Sequence, residues 1–444
     1  MLKKQYFSWK FNKLMRKSIL LFFVLFSVCV FSQNQEYSIF VRDIETLLPI
    51  ENATVVIMKT KQILLSNEEG KVTFMLTGGS NVQVSQTDYE DATVRWTSLN
   101  GDQKFVIYLK SKNNKLDEVV LSREDPEKIL QKLVSNSTKK ISISHRQKVY
   151  VREFFMLNNQ YSYYNDGLVN FQFDKNNNAT TLLVEQNRSY GLLETDISAD
   201  LRGYDLNNIM KNYSDFKYFD PLLDSKTKKE YDFVIRGHAK NKDYYVMYIT
   251  PLDKAKEAVD NFEIVYDPVK KLIMGFTIDI TPQNLDKIEE KTTVNSKNIT
   301  KSSVRVDYRF DGQDYYLLNS NEEIAYNIIL KDQVKKIQVR NSFVTTNFNR
   351  QNFIYNESDV FKEKSLFNKK NKILTNYWDI SGFVATDEEK AIIASLDYKL
   401  WVISYEVVKQ LYSKNPEQIS SGFFVLYNWN IVRLSEVETL FVVV

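Results

Sequence analysis

The chain's two histidines, His145 and His238, are the residues from which metal or acid–base chemistry would first be expected. A zinc peptidase site needs a His and a Glu close together in sequence and a second, distant His. His145 is followed by Arg-Gln-Lys and His238 by Ala-Lys-Asn, so neither has a Glu at a zinc-binding interval. We therefore predict that each is an ordinary surface or strand residue, and we assign no catalytic, cofactor-binding or metal-binding residue.

One segment imitates a calcium-binding loop. Asp174, Asn176 and Asn178 match the first ligand positions of an EF-hand, and Glu185 falls at the position of its bidentate glutamate. Ala179 stands where that loop requires glycine for its sharp turn, and the flanking segments have strand rather than helix character. The pattern favours a polar hairpin turn over a metal site.

Other catalytic patterns are missing from the sequence. It contains no G-x-S-x-G elbow, no phosphate-binding loop and no G-x-G-x-x-G turn. Members of a Ser-His-Asp triad need not be neighbours, so the sequence leaves a triad open, but with two histidines it favours none. The carboxylate pairs Glu289-Glu290 and Glu388-Glu389 are explained by solvation and by capping at the ends of helices or strands.

An aromatic cluster offers the remaining chemical possibility. Tyr161, Tyr163 and Tyr164 follow Asn158 and Asn159, and aromatic rings beside amides can stack on a sugar. Tyrosine is also common on half-buried sheets. Packing on a strand face is therefore the favoured interpretation.

The N-terminus predicts export. Ile19 to Phe31 is an unbroken apolar run that follows six basic residues and no acid, and Ser32 provides a small residue before Gln33. This layout is typical of a secretory signal peptide, and the run is too short to span a bilayer comfortably. We predict a signal at residues 1–32 with cleavage between Ser32 and Gln33.

Processing would change the chemistry available to the chain. The signal holds the single cysteine, Cys29, so the mature chain could form no disulfide, thiolate zinc site or cysteine nucleophile. Val28 precedes Cys29 where a lipoprotein signal prefers a small residue, which favours release without a lipid. Six of the 59 basic residues and none of the 56 acidic ones are removed, so the net charge becomes −3 and indicates no nucleic-acid binding.

The first mature segment is predicted to be a β-sandwich. Its short alternating runs are separated by turn residues at regular spacing, and aromatic and β-branched residues are abundant. The expected strands are Tyr37 to Arg42, Ala53 to Met58, Lys71 to Met75, Asn81 to Ser85 and Lys104 to Leu109.

The segment from about residue 37 to 121 resembles the carboxypeptidase regulatory-like domain found in exported proteins of Bacteroidetes type. The resemblance rests on the strand that ends at Asp43, the Pro49-Ile50 step, the Ser66 to Phe74 hairpin and the closing Leu116 to Leu121. It implies a prealbumin-like, seven-stranded sandwich at residues 33–121. It also implies an accessory role rather than catalysis.

A helix and a second β-rich domain are predicted to follow. Asp125 and Pro126 suit an N-cap and a first helical position, so residues 122–147 are expected to be a linker helix. Residues 148–384 show many strand-like runs with one helix inserted at Leu206 to Tyr213, which indicates an antiparallel curved sheet or half-barrel. Its hairpin rhythm is similar to that of lipoprotein-carrier half-barrels.

Residues 385–444 are predicted to contain helices and a tail. Thr386 and Glu389 match a capping box, and an aromatic stripe follows at helical spacing. The closing LFVVV favours either a final strand or an exposed β-prone end.

Together these features predict a mainly β, non-enzymatic protein of the bacterial envelope with no cofactor. Its β-rich domain would bind a protein partner or an apolar ligand through sheet edges or aromatic faces. Two alternatives stay open, a lipid or lipoprotein carrier and a peptide or glycan hydrolase. We expect no nucleic-acid binding and no membrane-spanning segment in the mature chain, while the sequence leaves the oligomeric state and the choice between periplasm, outer membrane and cell surface undecided.

Overall fold

The structure is a computed structural model of the chain. It describes residues 35–76, 78–99, 105–112, 124–175, 179–191, 205–280, 282–285, 289–291, 296–330, 333–351, 354–363, 366 and 389–396. The predicted signal peptide with Cys29, Ser32 and Gln33 lies outside these residues, as do Asn176, Asn178 and the segment 397–444.

The N-terminal unit consists of two small sheets that share one core. One sheet has the order β4-β1-β7, in which β1 and β7 are parallel, and the other has the order β3-β2-β5-β6. Buried side chains from both sheets, including Ile39, Val55, Phe74 and Val84, form a single apolar cluster. The strands are β1 (Gln35–Asp43), β2 (Thr54–Ile57), β3 (Gln62–Leu65), β4 (Lys71–Leu76), β5 (Val82–Ser85), β6 (Ala92–Val94) and β7 (Phe105–Leu109).

The larger unit is built on one open, curved sheet. Its strands follow the order β10-β9-β8-β18-β17-β16-β14-β13-β12-β11, and β15 pairs with a separate part of β16. All of its pairings are antiparallel. The strands are β8 (His145–Leu157), β9 (Gln160–Asp174), β10 (Ala179–Gly191), β11 (Tyr231–Gly237), β12 (Tyr245–Pro251), β13 (Asp260–Asp267), β14 (Leu272–Ile280), β15 (Glu289–Lys291), β16 (Ser296–Phe310), β17 (Tyr315–Leu330) and β18 (Gln333–Asn349). The prediction of a mainly β protein with a large antiparallel curved sheet is confirmed.

The described helices are few. They are α1 (Pro126–Ile141), α2 (Leu206–Asp215), α3 (Asp220–Leu223), α4 (Pro282–Leu285) and α5 at residues 389–396, with short 3-10 turns at Trp96–Ser98, Lys217–Phe219, Thr227–Glu230 and Glu357–Asp359. Asp125 caps α1 by accepting a hydrogen bond from the Glu127 amide, and Asp205 caps α2 in the same way. Both helices therefore begin where the sequence predicts. Within the described residues no helix is long and apolar enough to cross a membrane.

Helix α1 lies in the core of the larger unit. Leu130 and Leu133 are almost fully buried, in one cluster with residues of α2 and of the large sheet. The helix predicted as a linker is thus packed as part of that unit, which begins before the expected residue 148. Phe216 and Phe219, just after α2, pack against the same face of the large sheet as α1 and α2. Burial of each such side chain contributes about 2 kcal/mol to the free energy of unfolding. We call this the helix face.

The opposite face of the large sheet meets the sandwich. Val56 and Ile63 contact Tyr316 and Leu318 across the boundary, and Leu65 packs on a second small cluster around Tyr150. A loop of the sandwich also contacts the β11–β12 hairpin, where the Asn241 side chain donates to the Thr87 carbonyl at 2.7 Å. We call this second face the sandwich face.

Candidate functional site

The two histidines lie in separate structural environments. His145 begins β8, is 5% exposed, and stacks between Phe173 and Phe348. Burial lowers its pKa, because desolvation disfavours the charged ring. His238 follows β11, accepts hydrogen bonds at Nδ1 from two backbone amides, and lies 3.6 Å from an Asp88 oxygen of the sandwich. His145 therefore packs among three strands, β8, β9 and β18, and His238 lies at the contact between the two units.

The residues of the calcium-like segment have other partners. Asp174 ends β9, and Glu185 lies at an irregularity of β10, where it is 2.6 Å from Lys148 and accepts from the Asn170 amide at 2.6 Å. Among the described residues no group of three or more His, Cys, Asp or Glu side chains could hold a metal ion.

The tyrosine cluster does not present one shared surface. Tyr163 and Tyr164 are 5% and 0% exposed. Asn158 and Asn159 both have positive φ, which makes them the two-residue turn between β8 and β9. Packing therefore accounts for this cluster, and Tyr161 is left beside Phe154 and Arg340 on the sandwich face.

A polar cleft of about 500 Å³ opens between the sandwich and the sandwich face. This volume falls within the range of small-ligand sites, which often lie at domain boundaries. One wall comes from the β3–β4 region and the other from strands β8, β16, β17 and β18. We call them the hairpin wall and the sheet wall.

The sheet wall carries a row of polar residues on four neighbouring strands. Arg152 of β8 is directly opposite Ser342 of β18, Ser342 is opposite Asn321 of β17, and Asn321 is opposite Arg305 of β16. Directly opposed residues of antiparallel strands project to the same side. A third arginine, Arg340, lies in the next row, and its guanidinium is 4.7 Å from the centre of the Phe154 ring.

Arg152 is held by a carboxylate from the far end of the chain. Its Nη1 donates to Oε1 of Glu389 at 2.6 Å and its Nη2 donates to the Ser342 hydroxyl at 3.1 Å. Glu389 is only 3% exposed. The expectation that this glutamate is a solvated helix end is therefore wrong, because α5 packs against Phe154 and Tyr164 and carries Glu389 into the sheet wall.

A second buried ion pair lies on the other side of Arg152. Asp166 is fully buried and accepts hydrogen bonds from Arg188, from the Tyr150 hydroxyl at 2.8 Å and from the Tyr164 hydroxyl at 3.0 Å. Burial, and then the negative charge of Asp166, raise the pKa of both tyrosines well above their usual value. These hydroxyls therefore stay protonated and act as hydrogen-bond donors.

The hairpin wall is fixed by backbone geometry. Gly70 has φ of +72°, and its amide donates to the Asn67 carbonyl at 2.8 Å. A Cβ at Gly70 would lie 2.3 Å from the Val41 carbonyl oxygen, so only glycine fits. The turn leaves Glu68 and Glu69 exposed on the cleft.

This arrangement suits binding through charge and hydrogen bonds. Guanidinium groups favour carboxylates, and the aromatic rings beside them add cation–π contacts.

Sequence reasoning missed Arg152, Arg305 and Arg340. Alternation along a strand predicts which of its residues share a face. It does not predict the pairing of β8 with β18 or the order β18-β17-β16, which bring the three arginines to one wall.

Comparisons with known proteins identify neither a family nor a function for this chain. No family model and no curated protein matches the sequence. One similar solved structure is a DUF1329 family protein from Desulfovibrio piger, with 10% identity, 52% of this chain and 96% of that chain covered, and a TM-score of 0.24. Another is a "putative membrane-associated protein of unknown function" from Bacteroides fragilis, with 7% identity, coverage of 71% and 99%, and a TM-score of 0.15. Likenesses this low carry no argument about fold or function.

Proposed function

We propose that this chain is a non-enzymatic, exported protein of the bacterial envelope that binds a polar ligand or partner segment in the cleft. The large β-rich unit supplies the sheet wall, and the sandwich acts as an accessory domain that closes the site. The observation that carries this proposal is the row of polar residues from Arg152 to Arg305 on the sheet wall of a cleft of about 500 Å³.

The positions of the acids with raised pKa favour binding over hydrolysis. Burial raises the pKa of Glu153 to about 7 and also raises that of Glu322. However, the Glu322 carboxylate accepts hydrogen bonds from Tyr213 and Tyr218, so its side chain lies on the helix face. Glu153 shares that face, because it is directly opposite Asn341, which is directly opposite Glu322. Burial also raises the pKa of Asp260 and of Asp307. Asp307 lies on the same face as Arg305, but neither aspartate is among the residues that line the cleft. A hydrolase needs such acids to converge on the open site.

The helix face argues against a lipid carrier. A carrier half-barrel would offer an apolar concavity on its sheet. Here the apolar face is packed against α1, α2 and the Phe216–Phe219 region, and these helices have capped beginnings. The open cleft lies on the other face and is lined largely by polar side chains.

Thermal unfolding with two ligand sets and a ligand-free control tests this function. The mature chain from Gln33 onwards is mixed with short peptides and amino sugars, with fatty acids, or with no ligand. A polar compound should raise the melting temperature of the wild type and leave that of Asn321→Trp unchanged, because Asn321 is exposed at the centre of the sheet wall. Glu263→Trp is the matched control. Glu263 is exposed, lies in the same row of the sheet and is outside the cleft lining.

The outcomes separate the three functions. Stabilisation by fatty acids alone would support the carrier, and turnover of a peptide or glycan would support the hydrolase. The exported location has its own test, since mass spectrometry of the protein from the native envelope should find Gln33 at the N-terminus. Retention of Met1, or a lipid on Cys29, would contradict this part of the proposal.

A further inference from the structure

One wall of the cleft offers arginine side chains and the other offers exposed glutamates. Arg152, Arg305 and Arg340 lie on the sheet wall, while Glu68 and Glu69 lie on the hairpin wall. The lining of the sheet wall also includes three glutamates, and each already has partners. Glu389 accepts from Arg152, and Glu322 accepts from Tyr213 and Tyr218. Glu323 is 2.8 Å from Lys301 and accepts from Gln338 at 2.6 Å. Lys71, the first residue of β4, is the exception to the acidic character of its wall.

Two of these charges are available to a ligand. The Arg305 side chain is 55% exposed, and the closest approach of its Nε to Asp307 is 4.0 Å, at the limit of an ion pair. Glu68 is exposed in the turn that connects β3 to β4, which belong to different sheets. An ion pair that is this loose and this exposed stabilises little, so a ligand can take its place at low cost.

The sheet wall already binds one carboxylate. Glu389 reaches Arg152 as a side chain carried on a peptide, at 2.6 Å and almost without exposure. Arg305 lies in the same row three strands away, with Ser342 and Asn321 between the two arginines. Neighbouring strands are about 4.8 Å apart, so this polar row extends for roughly 14 Å along the sheet wall. The sheet wall therefore offers a second guanidinium at Arg305, where the carboxylate recorded among the described residues is that of Asp307 at 4.0 Å.

We propose that the cleft holds an extended peptide segment in which acidic and basic side chains alternate. Successive side chains of an extended peptide point to opposite sides. Alternation therefore directs the carboxylates to Arg305 on the sheet wall and the ammonium groups to Glu68 on the hairpin wall. This inference rests on the proposed function and specifies the class of ligand.

Binding of three fluorescein-labelled, end-blocked hexapeptides provides the test. The first alternates Glu and Lys, the second has the same six residues as a block of Glu followed by a block of Lys, and the third replaces each Glu of the first with Gln. The first two have equal composition and net charge, so any difference between them reports the side-chain pattern. We expect the alternating peptide to bind about tenfold tighter than either of the others. Its affinity should fall when salt is raised from about 0.05 M to about 0.5 M.

Variants test whether the peptide binds in the cleft. Arg305→Gln should weaken binding of the alternating peptide about tenfold, and Arg305→Lys should restore part of it. Arg236→Gln, a matched loss of one arginine on β11 outside the cleft, should leave binding unchanged. Melting temperatures close to that of the wild type show that each variant is folded, which the exposure of Arg305 favours.

Two results would overturn the inference. One is equal affinity for the alternating and block peptides, and the other is full affinity in Arg305→Gln. Displacement of the alternating peptide by a uronic-acid oligosaccharide at lower concentration would assign the arginines to a glycan instead. If the peptides fail while another polar compound still stabilises the wild type and not Asn321→Trp, the ligand class is wrong and the proposed function stands. If no polar compound does so, both are wrong.

Discussion

Arg152 donates a 2.6 Å hydrogen bond to Glu389, which lies 237 residues further along the chain. This pair joins the centre of the large sheet to α5, and the two side chains are 23% and 3% exposed. Breaking a largely buried pair leaves the remaining charge without compensation. The contact therefore holds α5, the last helix of the described residues, against the sheet wall of the cleft.

Removal of this carboxylate should destabilise the protein. We expect Glu389→Gln to lower the free energy of unfolding by about 2–3 kcal/mol in urea titrations, since Arg152 stays partly buried without its partner. The combined change Arg152→Met with Glu389→Leu should recover part of this loss, because no charge is then left behind. The control is Glu124→Gln at the exposed Lys132–Glu124 pair, which should change stability by no more than about 0.5 kcal/mol. Equal effects of the two single variants would contradict the assigned burial.

The buried carboxyl of Glu153 predicts a pH dependence. Desolvation raises its pKa from 4.5 to about 7, against a hydrogen bond from Asn165 that favours the ionised form. The folded state thus holds this proton more tightly than the unfolded state. The stability it contributes is fully present below about pH 4.5 and is lost as pH rises through about 7.

The variant Glu153→Gln isolates this effect. It should match the wild type at about pH 4 and be more stable near pH 8, by up to about 3 kcal/mol, because the amide stays neutral. Glu263→Gln, at an exposed position of β13, should follow the wild type at both pH values. Parallel pH curves for wild type and Glu153→Gln would show that this carboxyl is not the source of the dependence.

Two glycines with positive φ should respond differently to alanine. At Gly70 the new methyl group would meet the Val41 carbonyl oxygen at 2.3 Å, whereas at Gly312 nothing lies within 4 Å. We expect Gly312→Ala to cost about 1 kcal/mol of unfolding free energy from backbone strain alone. Gly70→Ala should cost about 3 kcal/mol or more, because the backbone must also move. Similar melting temperatures for the two variants would show that the hairpin wall is less tightly built.

Limited proteolysis should separate the two units before α1. Because Leu130 and Leu133 are buried with the large sheet, the first cut is expected between Leu109 and Asp125, and the larger fragment should retain α1. The fragments should co-elute on gel filtration, held by the contacts of Val56 and Ile63 with Tyr316 and Leu318. A first cut within 126–141 would contradict this packing.

Local elements were predictable where short-range physics decides them. Asp125 and Pro126 specify the start of α1, and Leu206 begins α2 as predicted. Most sandwich strands also fall within a residue or two of their expected limits, although β3 and β6 were missed. Strand β6 is only three residues long and shows no clear alternation.

The candidate site was not predictable from the sequence. Period-two alternation shows that Arg152 and Phe154 share a face, but it does not show which strand lies beside them. That depends on the register of β8 with β18 and on where the sandwich docks. The pair Arg152–Glu389 was equally hidden, because helix capping gave Glu389 a sufficient local explanation.

The pairing of β8 with β18 also has a consequence for how the chain folds. Gln147 and Thr345 are 198 residues apart, yet the Gln147 amide donates to the Thr345 hydroxyl at 2.5 Å in the middle of the large sheet. The sandwich closes through much shorter loops, so it can fold as soon as it emerges. The large sheet cannot be completed until β18, which ends at Asn349, has been synthesised. Folding with such high contact order is slow, and the edges of β8 and β17 stay unpaired during that time. This interval is when the protein is most exposed to aggregation and to proteases.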